Sequence, residues 1–184
     1  MILYATNKTF LSYKLKTAED FTYPRSEIAR GFLELEQGDS LLEWGMKLFR
    51  MGEARCIHLV NLGTGLTLYL FGVERSDIGL LGRVMEYYIR ELYKSDSEMT
   101  ECLDTMFSRV KVCQFAHLTD DGIVGAMEAS EQEFIFSEKY LPECVKGGAL
   151  DGCEVNRRAN FDYTPDAAKR FRDAVTMRFG QIKE

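Results

Sequence analysis

The chain has 184 residues, 46% hydrophobic and 28% charged, with a formal net charge of -6. That length suits one domain with its own core, and the ordinary composition, without low-complexity tracts or obvious repeats, disfavours a disordered or solenoid protein. The acidic balance disfavours broad nucleic-acid binding, which depends on neutralising phosphates.

Met1 to Ala5 reads as a first, buried strand near the sheet centre. Asn7 to Leu15 is too loosely patterned to assign. Thr17 to Arg30 is polar, contains Pro24 and reads as a loop; residues 31–36 alternate enough for a short strand or extended arm. A helix is expected over 39–51, because Leu41, Trp44, Leu48 and Met51 recur at helical spacing. Ser40 and Glu43 would form its capping box and Gly52 its C-cap. Trp44 should pack inward.

Residues 55–61 and 66–73 read as strands joined by the turn Asn61-Leu-Gly-Thr-Gly65, a hairpin at the heart of the fold. Ser76 is expected to cap a helix over 76–94, with Ile78, Leu81, Met85, Tyr88, Ile89 and Leu92 on its inner face. A second helix, 97–110, repeats the pattern through Met99, Leu103, Met106, Phe107 and Val110. The two should form a helical hairpin over one sheet face. A strand is expected within 112–118, then a turn at Asp120-Asp121-Gly122. Residues 123–137 fit helix better than strand. Gly147 to Gly152 reads as a loop. Thr164 and Pro165 should open a last helix, 165–179, docked by Phe171, Ala174, Val175 and Met177. The expectation is a single compact α+β domain, 1–184, with a small, largely antiparallel sheet around the 55–73 hairpin.

Asn61-Leu-Gly-Thr-Gly65 has the glycines of a phosphate loop but no Gly-Lys-Ser/Thr ending, and a strand follows it instead of a helix, so a hairpin turn explains it better. The two histidines each have a cysteine nearby, Cys56 with His58 and Cys113 with His117. Positions i and i+2 of a strand share a face, so the two pairs would supply a nitrogen and sulfur ligand set for zinc if they met across the sheet. The spacing matches no known metal motif, and no metal or cofactor is assigned. Cys113, His117 and Asp120 or Asp121 are the one local set for nucleophilic catalysis, but nothing in the sequence activates the thiol. The 5 cysteines are odd in number and irregularly spaced, which fits reduced thiols in a reducing compartment.

Charge is uneven: residues 1–94 balance, 95–155 carry 4 basic and 13 acidic side chains, and 156–184 carry 7 basic and 4 acidic. Arg170 and Arg172 on the last helix are the candidate contacts for a partner. Tyr87, Tyr88 and Tyr93 would suit a dimer face or the core equally, so the oligomeric state is open. No signal peptide or membrane-spanning run of roughly 20 apolar residues is expected, which implies a cytoplasmic protein.

Several landmarks together resemble a family of small uncharacterised bacterial proteins built on a domain of unknown function. They are the opening strand with Thr6-Asn-Lys8, Leu59-Val60-Asn61 followed by Thr67, Thr119 to Met127, and Val155-Asn156-Arg157 with Tyr163-Thr-Pro165. The chain departs from the pattern at Asp121 and Gly122, where an Arg-Ser pair would stand. The resemblance implies one domain in a bacterial cytoplasm and transfers no active site. The leading expectation is a non-enzymatic accessory or protein-interaction domain with an unknown protein partner. The alternative is a small enzyme or a ligand- or metal-binding protein with a pocket near Cys56, His58, Cys113 and His117.

Overall fold

The computed structural model describes residues 1–110 and 112–180. A five-stranded sheet runs in the order β4-β3-β2-β1-β5, with β1 Ile2–Ala5, β2 Glu43–Met51, β3 Ala54–Asn61, β4 Thr67–Leu70 and β5 Gln114–His117. The α+β class is as expected, but the sheet is mixed. β1 lies parallel to both β2 and β5, whereas β2, β3 and β4 form an antiparallel meander. A parallel pair needs a long crossover. Here it is supplied by α1 Asn7–Tyr13 and α2 Arg25–Glu36, a region whose sequence suggests loop and extended arm.

The expected helix over 39–51 is the strand β2. Trp44, Leu48 and Met51 satisfy a helical period, but Trp44, Met46 and Leu48 also satisfy a strand's period of two. Long-range pairing with β3 along Trp44 to Met51 decides between them. Gly52, at φ 57°, turns the β2–β3 hairpin rather than closing a helix. Trp44 is buried as expected. The sheet's middle strand is therefore β2... β3 flanks it, and the 55–73 hairpin occupies the β4 end.

Alternation along β2, β3 and β4 divides the core. One face carries Leu3, Trp44, Met46, Leu48, Ile57, Leu59, Leu68 and Leu70. Against it pack α3 Leu81–Tyr93, α4 Ser97–Arg109 and α7 Pro165–Phe179, through Met85, Ile89, Met99, Leu103, Phe171 and Val175. The expected helical hairpin and final helix are thus present, although residues Arg75–Leu80 form a 3-10 turn ahead of α3. The opposite face holds Phe49, Cys56 and Tyr69 against Phe134, Ile135, Cys144 and Val155. That layer comes from α5 Asp121–Ser130, which continues as a π turn to Ile135, and from α6 Gly152–Arg158, which continues as a π turn to Tyr163. Asp120 caps α5 by accepting from the Gly122 and Ile123 amides, so the Asp-Asp-Gly signal marks a helix start instead of a turn. Between α5 and α6, the expected glycine loop is a minimal hairpin, β6 Val145–Lys146 with β7 Ala149–Leu150.

Two side-chain devices explain the landmark asparagines. Asn61 donates from Nδ2 to the carbonyls of Ser40 and Leu41, both at 3.1 Å, and its Oδ1 accepts from the Thr64 amide at 3.0 Å. It therefore ties the β3–β4 turn to the segment entering β2. Gly63 permits this approach, since a Cβ there would lie 2.6 Å from the Ser40 Cβ. Asn160 then accepts from the Thr67 amide (2.9 Å) and donates to the Thr67 carbonyl (2.6 Å). Asn156 does the same for Tyr69, at 2.7 and 3.0 Å. Helical residues four apart are separated by about 6 Å along the axis, and strand residues two apart by about 6.7 Å. Two asparagines one turn apart can therefore serve the outward amides and carbonyls of an edge strand, as a sixth strand would.

Candidate functional site

The four cysteine and histidine positions do not converge. Cys56 and His58 lie on β3, on the face that packs against Phe134. Cys113 precedes β5 and His117 ends it, on the opposite face, where Cys113 borders the main core and His117 stacks on Phe10 at 4.0 Å. Three strand spacings separate β3 from β5, about 14 Å. Among the described residues no group of histidine, cysteine and acidic side chains could hold a metal ion. The pairing of Cys113 with His117 fails too, because residues four apart on a strand are about 13 Å apart. Burial pushes the Cys113 thiol up to about 11 and also raises Cys56, so both are protonated and poor nucleophiles near neutral pH.

His58 has other company. Its Nδ1 lies 3.0 Å from Glu131 Oε1, and Lys47 Nζ lies 2.7 Å from Glu131 Oε2. Lys47 and His58 are cross-strand partners in the β2–β3 pair, and Glu131 is delivered by the first residue of the π turn. Side-chain exposures of 1% for His58 and 4% for Glu131 show that the pair is sealed. Burial lowers the His58 pKa, with the Glu131 contact opposing it, so the ring is neutral. The carboxylate then fixes the proton on Nδ1. Burial alone would raise the Glu131 pKa, but the bonds from His58 and Lys47 outweigh it and hold the acid below its usual range. His58 also stacks on Tyr69 at 4.5 Å, whose hydroxyl meets Ser130 Oγ at 2.7 Å. This is a polar cluster locking α5 onto the sheet. It has the composition of an acid–base relay without the access a substrate needs.

Neither Arg170 nor Arg172 projects free from α7. Arg170 Nε donates to the Thr64 carbonyl at 3.1 Å, and Arg172 Nε donates to Asp96 at 2.6 Å, with Glu98 next to it. Both tie α7 to the body.

A substantial opening lies elsewhere, at the β5 end of the sheet. A hollow of about 510 Å³ sits between the end of α1, the inner face of α2, the 3-10 turn before α3, and residues Val112 to Phe115. That volume is in the range of small-molecule pockets. Its walls include Leu15, Phe21, Ile28, Phe32, Ile78 and Phe115. Around these stand Lys14, Lys16, Arg25 and Arg75, and no acidic residue lines the space. Cys113 is the one member of the expected quartet that reaches it. A second hollow of about 480 Å³ shares Ile78, Gly79, Val112, Cys113 and Phe115 with the first.

Helix α2 roofs the hollow, tied to the body at its end by the ion pair of buried Glu36 with the Met1 ammonium. None of its residues joins either apolar cluster, and it packs mainly on the 3-10 turn Ala18–Asp20. Ile28 and Leu35 remain 58% and 80% exposed. The sequence hides this site, since the basic and apolar residues of 14–32 read as an ordinary polar loop, and Arg75 joins them only through the tertiary fold. Glu131 and Lys47 were equally invisible as partners, being 84 positions apart.

No curated protein and no solved structure matches this chain. One family model does, described as a domain of unknown function (DUF6933), and it matches residues 2–172. The match takes in every strand of the sheet, the hollow beneath α2 and all but the last turns of α7. The chain therefore belongs to the DUF6933 family.

Proposed function

We propose that this protein is a non-enzymatic accessory domain that binds a small, largely apolar molecule in the hollow beneath α2. The observation that carries the reading is an apolar hollow of about 510 Å³ roofed by a helix that adds no side chain to either apolar cluster. Elements that open and close over ligands are drawn from the least firmly packed parts of a fold. The reading is non-enzymatic because the chemistry-bearing groups are either sealed, like His58 and Glu131, or held inactive, like the Cys113 thiol. A bacterial cytoplasmic setting fits the free state of all five cysteines. No helix of the described residues is long and apolar enough to cross a membrane. An accessory role, with ligand occupancy reported to a protein partner, accords with the exposed apolar side chains of α2.

The test is titration with Nile red, a neutral dye that brightens in apolar surroundings. We expect saturable binding at one site, lost in Ala29→Trp, which fills the chamber from its α2 wall. Absence of saturable binding to the wild-type protein, or binding unaffected by that substitution, overturns the reading.

A further inference from the structure

Resting on the reading of the hollow as a binding chamber, we propose that its natural ligand is an apolar molecule with a single anionic head, a carboxylate or a phosphate. The apolar walls alone would suit a neutral molecule; the charges around them do not. Lys14, Lys16, Arg25 and Arg75 come from three separated stretches of chain and meet only at this opening. Among the described residues none of the four forms an ion pair. Lys16 sits over the Phe21 ring, 5.9 Å from its ammonium, and acts on Asp20 only at longer range. Elsewhere many described cations are paired, such as Lys47, Arg90, Arg157, Arg158, Arg172 and Arg178, while others, such as Arg50 and Arg83, are not; what sets these four apart is that they gather around one apolar space. A chain with 29 acidic and 23 basic residues does not lack counterions. None of those acids lines this opening.

Local backbone features point the same way. Arg25 is the first residue of α2, where a cation opposes the helix dipole. The preceding Pro24 offers no side-chain cap, and the Ser26 amide donates instead to the Thr22 carbonyl at 3.2 Å. An anion placed beside Arg25 would offset that unfavourable charge. Lys14 caps the end of α1 at φ 50°, a conformation normally left to glycine or asparagine. It is the one described non-glycine residue with positive φ. A long cationic side chain is thus kept at a position where a smaller residue would be easier to accommodate.

Isothermal titration of the full chain with decanoate, decyl phosphate and decan-1-ol separates the possibilities. One charge-assisted contact is worth at least about tenfold in affinity, so one or both anions should bind at least about tenfold more tightly than the alcohol at low salt. The gap should narrow as salt rises. Among the anions, each added methylene should tighten binding about fourfold until the chamber is full. Preference for decanoate over decyl phosphate assigns a carboxylate head, and the reverse assigns a phosphate. In the double variant R25Q/R75Q the anions should lose about tenfold or more while decan-1-ol is unchanged, which also reports that the chamber is intact. Decan-1-ol binding as tightly as both anions overturns the anionic assignment and leaves the apolar chamber standing. Failure of all three compounds, together with Nile red, overturns the chamber and this inference with it.

Discussion

The two ends of the sheet solve the same problem in opposite ways. At the β4 end every outward backbone group of Thr67 and Tyr69 is met by Asn160 and Asn156, and Lys47 is paired with Glu131 inside the protein. At the β5 end the chain leaves a hollow, roofs it with a helix outside the core and surrounds it with cations that have no acidic partner. Both ends contain polar groups next to apolar walls. Satisfaction within the fold is the mark of a structural element, and polar capacity left unused at an accessible space is the mark of a binding site.

The sharpest way to break the comparison is to show that the sealed cluster is dispensable. Glu131→Ala leaves Lys47 without its close counterion and His58 without an acceptor. Removing one partner of a buried charged pair costs about 3–5 kcal/mol, and urea unfolding should register a loss of that size. Adding Lys47→Met should recover part of it, since the orphaned charge is then gone. Asn160→Ala comes next. It uncovers the Thr67 amide and carbonyl and should cost about 2–3 kcal/mol, again read by urea. A loss below about 0.5 kcal/mol would mean that water replaces the asparagine freely, and that this edge is no more closed than the other.

Acid should weaken the sealed end before it touches anything else described here. Lys47, Glu131 and the Tyr69 ring surround His58, and burial holds its folded pKa below the ordinary 6.5. As pH falls beneath 6.5, the unfolded chain takes up a proton that the folded chain refuses, so stability declines by at most about 1.4 kcal/mol per pH unit. Glu131 acts in the same direction at lower pH. Its folded pKa lies below the ordinary 4.5, so its contribution is present above that value and disappears as pH drops through the folded one. Comparing urea midpoints at pH 7.5 and 5.5 tests the His58 part. In His58→Gln the difference between the two midpoints should shrink.

Sequence periodicity captured α3, α4 and α7 because each has a strong one-sided apolar stripe that its neighbours bury. It captured the β3–β4 hairpin because Asn61 to Gly65 is strong turn chemistry. It failed at β2, where Trp44 and Leu48 serve both periods and only pairing with β3 chooses between them. It failed again at α2, a helix with no buried apolar stripe to betray it. The candidate site was less legible than the fold. Cys56, His58, Cys113 and His117 drew attention by residue type, yet strand order places the two pairs on opposite faces. Lys14, Arg25 and Arg75 carry no local signal, since they converge on one apolar space only through the tertiary fold.

The smallest expected stability change tests the other end of the sheet. Phe32→Ala removes a large ring from the α2 wall of the chamber. Truncating a core phenylalanine costs about 3–5 kcal/mol, but Phe32 is half-buried and outside both apolar clusters. The loss here should therefore stay below about 1 kcal/mol, while Nile red binding weakens by about tenfold through lost apolar contact. Hydrogen exchange offers the matching observation on the wild-type protein. Amides of α2 should exchange faster than those of α3, and ligand should slow α2 selectively. If Phe32→Ala instead destabilises the fold as a core truncation does, with α2 as protected as α3, then α2 is part of the folded body and the two ends of the sheet differ only in shape.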